Sequence, residues 1–128
     1  KFNDHDCTLI KRWPSKKDLA GWYVDLKKQG FQKSHIHSSG WVSGVIYLKV
    51  VPPLKKNEGA IEFSLNGENY FDKNSPKKVY LPKIGDIVIF PSSLHHRTIP
   101  FTTDTNRIVV SFDLIQNQNI FNTTSRSD

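Results

Sequence analysis

The chain has 128 residues and a formal net charge of +6, from 18 lysines and arginines against 12 aspartates and glutamates. A chain of this length suits one domain that buries about two thirds of its unfolded surface without staples. Its single cysteine, Cys7, rules out an internal disulfide and favours a reducing, cytoplasmic setting.

No apolar run approaches a membrane span and no signal-like segment opens the chain. The basic residues fall in scattered pairs, Lys16-Lys17, Lys27-Lys28, Lys55-Lys56 and Lys77-Lys78, without an arginine-rich helix or an aromatic strand motif. A nucleic-acid partner is therefore not expected, although the charge can still attract an anionic substrate. The chain begins at Lys1 and contains no methionine, so it is expected to be part of a longer protein.

The first twelve residues are polar, and His5 between Asp4 and Asp6 reads as a solvated terminus. Pro14 to Leu19 is predicted to open a short helical turn, with Ser15 as its N-cap. Trp22-Tyr23-Val24-Asp25-Leu26 reads as a strand, Gln29-Gly30 as a turn, and Phe31 to His37 as extended again. After the break at Ser38-Ser39-Gly40, Trp41 to Val51 is the longest strand. Both of its alternate rows are apolar near the middle, as in a strand covered on both sides. Pro52-Pro53 ends it.

Ala60 to Leu65 is predicted as a short strand, and Asn66 to Pro76 as a polar hairpin region. Val79-Tyr80-Leu81 is extended, Pro82 to Gly85 turns, and Asp86 to Phe90 is a strand. Leu94 to Ile99 is extended, Thr102 to Asn106 turns, and Arg107 to Ile115 forms the last strand. About eight short strands with little helix indicate an all-β sandwich or barrel of the jelly-roll kind. The core is predicted over residues 20–115, with a polar tail over 116–128.

His35 and His37 point the same way from an extended backbone, because strand side chains alternate faces. Their ring nitrogens can reach one ion at about 2.0–2.2 Å each. A third histidine from another strand completes three imidazole ligands with open positions left on the metal. Imidazole suits Zn, Cu, Fe and Ni alike, so the rings alone do not select iron. Of the adjacent pair His95-His96 only one can face inward, and the pattern leaves open which.

Arg107, Val109, Ser111 and Asp113 share one face of the last strand. An arginine on an interior row needs an anion, because an unpaired buried charge is costly. That anion is either a structural carboxylate such as Asp113 or a bound acid; the remaining alternative is Arg107 at the strand end in solvent. With Ser111 and Tyr47 also inside, a bound carboxylate could accept three hydrogen bonds, and the planar guanidinium fork matches it bidentately.

Three blocks of sequence resemble the 2-oxoglutarate/Fe(II)-dependent oxygenase superfamily. The first is His35-Ile36-His37 with Gly40-Trp41-Val42-Ser43-Gly44-Val45-Ile46-Tyr47-Leu48 and Gly59-Ala60-Ile61-Glu62-Phe63. The second is Pro82-Lys83-Ile84-Gly85-Asp86 with Phe90-Pro91-Ser92-Ser93-Leu94-His95-His96-Arg97. Arg107-Ile108-Val109-Val110-Ser111-Phe112-Asp113 closes the pattern. The resemblance covers roughly residues 22–114 and implies a double-stranded β-helix, a cupin-like jelly roll, with Fe(II) at one mouth.

By position, His35 matches the first metal ligand and His96, rather than His95, the distal histidine. Arg107 matches the basic residue that pairs with 2-oxoglutarate, while Ser111 and Tyr47 match hydroxyls that assist it. His37 departs from the pattern, since the wider family usually has Asp or Glu there. A neutral imidazole leaves the site one unit more positive, and His37 stands as the third ligand unless it swings away and leaves a position open.

The implied reaction consumes 2-oxoglutarate and O2, releases succinate and CO2, and hydroxylates a substrate that the sequence does not name. The alternative is a cupin-like metal barrel without 2-oxoglutarate: an isomerase, a 2-oxoglutarate-independent dioxygenase or a binding module. Three histidines fit that alternative well; Arg107 with Ser111 favours the oxygenase.

Overall fold

The computed structural model describes residues 6–67 and 69–116. Asp4 and His5, and the predicted tail beyond Gln116, lie outside the described residues. A one-turn helix α1 (Thr8–Lys11) is followed by seven strands: β1 (Lys17–Leu26), β2 (Gly40–Lys49), β3 (Ile61–Ser64), β4 (Lys78–Tyr80), β5 (Ile87–Pro91), β6 (His95–Thr98) and β7 (Arg107–Gln116). They form a four-stranded sheet in the order β1-β7-β2-β5 and a three-stranded sheet in the order β4-β3-β6. Every ladder is antiparallel, and the architecture is the expected all-β jelly roll.

Between the sheets lies a small core. Val45, Tyr47, Phe90 and Val109 from the larger sheet meet Ile61 from the smaller one, with Phe63 packed against them. Phe63 and Phe90 touch edge to face, with ring centroids 5.0 Å apart, a geometry that the aromatic quadrupole favours. Register assigns the faces: Ser43, Val45 and Tyr47 of β2 stand opposite Asp113, Ser111 and Val109 of β7, and these six residues are all buried.

Two expectations are corrected here. Pro14 to Leu19 does not form a helical turn capped by Ser15; Lys17, Asp18 and Leu19 pair with Gln116, Ile115 and Leu114 as the first residues of β1. Strand β7 is ten residues long, and its outer edge needs partners for its backbone groups. Ladder pairing outweighs the local turn propensity. The helical turn falls earlier, where the Cys7 carbonyl accepts from the amides of Ile10 and Lys11.

The second correction concerns β2, which is not covered on both sides among the described residues. Its inward row is buried, whereas Leu48 on the other row is exposed. No helix among the described residues is long and apolar enough to cross a membrane.

The turn before β5 is set by its own chemistry. Gly85 has a φ of +88°, a region that glycine enters without steric cost. The Asp86 carboxylate accepts from the Lys83 amide and from the Tyr80 hydroxyl, each at 2.7 Å. Those bonds hold its carboxyl below the usual range. The turn brings β5 alongside β2, and the bend at Pro91 to Leu94 then delivers β6 to the smaller sheet.

Candidate metal centre

The segment from Gln32 to His37 leaves the larger sheet and runs beside β6. The Thr98 amide donates to the Gln32 carbonyl at 3.3 Å, and His35 and His96 exchange both backbone hydrogen bonds at 3.0 and 3.1 Å. This isolated bridge places His35 directly against His96. The His37 amide then donates to the Ser92 carbonyl, which fixes the second ring two residues on, while Ile36 turns outward. His96 is the inward member of its pair, 6% exposed, because alternation along β6 sends His95 to the other face.

One ring nitrogen from each of His35, His37 and His96 lies within 4.8 Å of the others. Their hydrogen bonds fix the tautomers. Nδ1 of His35 faces the Lys33 carbonyl at 2.7 Å, Nδ1 of His96 the Leu94 carbonyl at 3.0 Å, and Nδ1 of His37 a carboxylate oxygen of Asp113 at 2.6 Å. Carbonyl and carboxylate oxygens can only accept, so each Nδ1 carries the hydrogen, and in the neutral ring each Nε2 presents a lone pair.

Nε2 of His35 and Nε2 of His37 are 3.2 Å apart. A separation this short suits two ring nitrogens that share a proton or a metal ion. Neighbouring ligands at about 2.1 Å from one ion are themselves about 3.0–3.4 Å apart. Burial, reinforced by the His35 and His37 rings beside it, pushes His96 down to about 4. Its imidazole is therefore neutral and ready to ligate at neutral pH.

The three rings line a cavity of about 260 Å³ that also reaches Arg107 and Ser111, with Val45 and Val109 on its apolar wall. Arg107 is 2% exposed, and its Nε and Nη1 have no hydrogen-bond partner. Desolvation by burial lowers its pKa, yet guanidinium remains the cation least easily deprotonated in proteins. Its Cζ lies 5.0 Å from the Tyr47 ring centroid, and the fully buried Tyr47 hydroxyl also lacks a partner. Tyr47 thus backs the guanidinium, and Ser111 shares the cavity wall with it. The structural ion pair between Arg107 and Asp113 is absent: Asp113 is engaged by His37 and by Ser43 Oγ, both at 2.6 Å.

Glu62 and Trp41, which stand in the blocks that carry the resemblance, lie away from the three rings. Glu62 is on the far face of the smaller sheet, paired with Arg97 at 2.7 Å. Trp41 is held by the Leu9 carbonyl, to which its indole N–H donates at 3.0 Å, so it pins α1. Trp22 takes the place beside the centre, its ring centroid 5.5 Å from that of His37. The region after Asn66 reaches the mouth, where Asn69, Tyr70 and His95 line a groove with Ser34, His35 and Ile36. Sequence reasoning missed Ser43 and Ser92 altogether, and it named Asp113 only as one alternative partner for Arg107, not as the partner of His37.

A family model described as "Putative 2OG-Fe(II) oxygenase" matches residues 20–113. No curated protein matches the sequence. Among solved structures, a 2OG-Fe(II) oxygenase-family oxidoreductase from Burkholderia pseudomallei superposes with a TM-score of 0.63 at 12% identity, covering 84% of this chain and 49% of its own. A prolyl-4-hydroxylase from Pseudomonas putida gives 0.57 at 16% identity, covering 78% of this chain and 52% of its own. The chain thus spans about half the length of each, and at these identities the likeness is one of fold. With the family match spanning most of its length, and an HxH pattern completed by a distant histidine, the chain belongs to the 2OG-Fe(II) oxygenase family.

Proposed function

We propose that this protein is an Fe(II)- and 2-oxoglutarate-dependent oxygenase that hydroxylates a substrate yet to be identified, releasing succinate and CO2. The observation that carries this reading is Arg107: a buried guanidinium with two unpartnered nitrogens, in the same cavity as three convergent Nε2 lone pairs. A cation at one end and a cation-binding set at the other ask for an anion that spans both, as a small diacid does.

In this reading His35, His37 and His96 hold the iron through Nε2. Arg107 takes the far carboxylate with Ser111 beside it, and Tyr47 keeps the guanidinium in place. Bound together, Fe(II) and 2-oxoglutarate supply the oxidative decarboxylation and the hydrogen abstraction from substrate. The chain's own part is to fix orientation and to exclude water with Val45, Ile61 and Val109. The groove beside His35 gives the substrate its approach. A reducing, cytoplasmic setting suits the exposed thiol of Cys7.

Three neutral imidazoles equally suit a cupin-like metal barrel that does not use 2-oxoglutarate, and the unpaired Arg107 is what favours the first reading. Incubating the iron-loaded chain with labelled 2-oxoglutarate separates the two. Labelled CO2 and succinate are expected, and Arg107→Ala is expected to abolish both. An unmodified protein that neither binds nor turns over 2-oxoglutarate leaves the barrel reading standing.

A further inference from the structure

We propose that Asp113 is a positioning residue that acts through His37: it fixes that ring and supplies, from one residue farther out, the negative charge that the three imidazoles lack. The proposal rests on the metal centre proposed above and concerns what tunes it.

Among the three rings the outward hydrogen bonds differ. His35 and His96 donate Nδ1–H to neutral backbone carbonyls, whereas His37 alone donates to a carboxylate. Asp113 is 5% exposed, and among the described residues its ion-pair partner is His37. The same oxygen, Oδ1, accepts Ser43 Oγ–H at 2.6 Å, and Ser43 in turn lies 2.8 Å from Ser92 Oγ. With Ser43 donating to Asp113, the Ser92 hydroxyl donates to Ser43. Both serines are fully buried. Gly40 closes over this network: a Cβ there would lie 2.5 Å from Ser92 Oγ and 3.3 Å from the Asp113 carboxyl carbon.

A carboxylate enclosed this way is costly unless opposite charge compensates it. Among the described residues its ion-pair partner is His37, so compensation runs through that imidazole toward an ion at Nε2. Conversely, an Nδ1–H···carboxylate bond locks the ring and makes Nε2 a more basic ligand. Three neutral imidazoles alone would leave the full charge of the ion uncompensated in a half-enclosed cavity. Asp113 makes His37 the electron-rich member of the set and leaves the other two as neutral donors.

Cobalt(II) is the probe, titrated into the full chain by calorimetry and followed by its visible absorption. Asp113→Asn preserves an acceptor for His37 Nδ1–H, so the ring keeps its place while the charge is removed. Cobalt affinity is expected to fall about 10- to 100-fold with a shift of the visible bands, and Asp113→Glu is expected to restore part of both. Affinity within threefold of the unmodified chain, with unmoved bands, overturns the proposal.

If Asp113→Asn does not fold, Ser43→Ala takes its place. Withdrawing that hydroxyl leaves more of the carboxylate's charge to His37, so the bands shift, and unmoved bands again overturn the idea. An unmodified chain that takes up no cobalt refutes the metal centre itself, and this proposal with it.

Discussion

The two faces of the four-stranded sheet are polarised in the opposite sense to a simple hydrophobic core. Its inward face carries Ser43, Tyr47, Arg107, Ser111 and Asp113, interleaved with Val45 and Val109, and all are buried. The outward face carries Val42, Ile46, Val110, Phe112 and Leu114, all half-buried, beside the exposed Tyr23, Ile87 and Ile89. Alternation guarantees that β7 has two rows; it does not say which one turns in. Here the row with an arginine and an aspartate is inside, because it meets histidines and a cavity instead of a dry interior. The inward face gives up apolar packing for a site, and the outward face keeps the apolar side chains that the strands need for pleat and twist.

The sharpest way to break that contrast is at the histidines. His35→Ala and His96→Ala are each expected to abolish stoichiometric metal uptake, whereas His95→Ala on the opposite face of β6 leaves it intact; elemental analysis after loading decides. Next comes Arg107→Met, for which two effects of opposite sign are expected. Binding of 2-oxoglutarate, measured by calorimetry, should weaken at least about 100-fold, since a carboxylate loses its charged partner. The ligand-free chain should unfold with a free energy about 1–3 kcal/mol higher, because an unpaired buried cation has been replaced by an apolar side chain.

On the outward face the effects are smaller and purely structural. A Cβ at Gly44 would meet the Phe112 ring at 2.1 Å. Gly44→Ala should therefore cost about 1–2 kcal/mol in denaturant unfolding, and the cost should largely vanish in a Phe112→Ala background. Smallest of all, Ile89→Thr, at a residue 64% exposed, should leave stability within about 0.5 kcal/mol.

Much of this architecture is legible in the residues. Period-2 alternation with Gly and Pro punctuation marks β2, β5 and β7, and Pro82 to Gly85 announces its turn. The first half of β1 is not legible, since Lys17-Asp18-Leu19 has no strand character of its own and becomes a strand only because β7 offers an edge. At the site, the i, i+2 spacing of His35 and His37 suffices to predict that they converge. Resemblance, and not pattern, is what separates His96 from His95. The partner of Asp113 is invisible from sequence: it lies 76 positions away, and reaching it depends on the register that sets Ser43 opposite Asp113. Burial of the row could be foreseen, but the identity of the contact could not.

The paired backbone bonds between His35 and His96 have a mechanical consequence. His35 is stitched to the three-stranded sheet, while His37, two residues on, is moored to Asp113 of the four-stranded one and to Ser92 in the bend that follows β5. An ion gripped by all three rings rivets the two layers together at that rim. Stripping it with a chelator should quicken amide exchange at His35 and His96 well before the centre of β7 responds, so that the mouth of the barrel slackens while its spine stays shut.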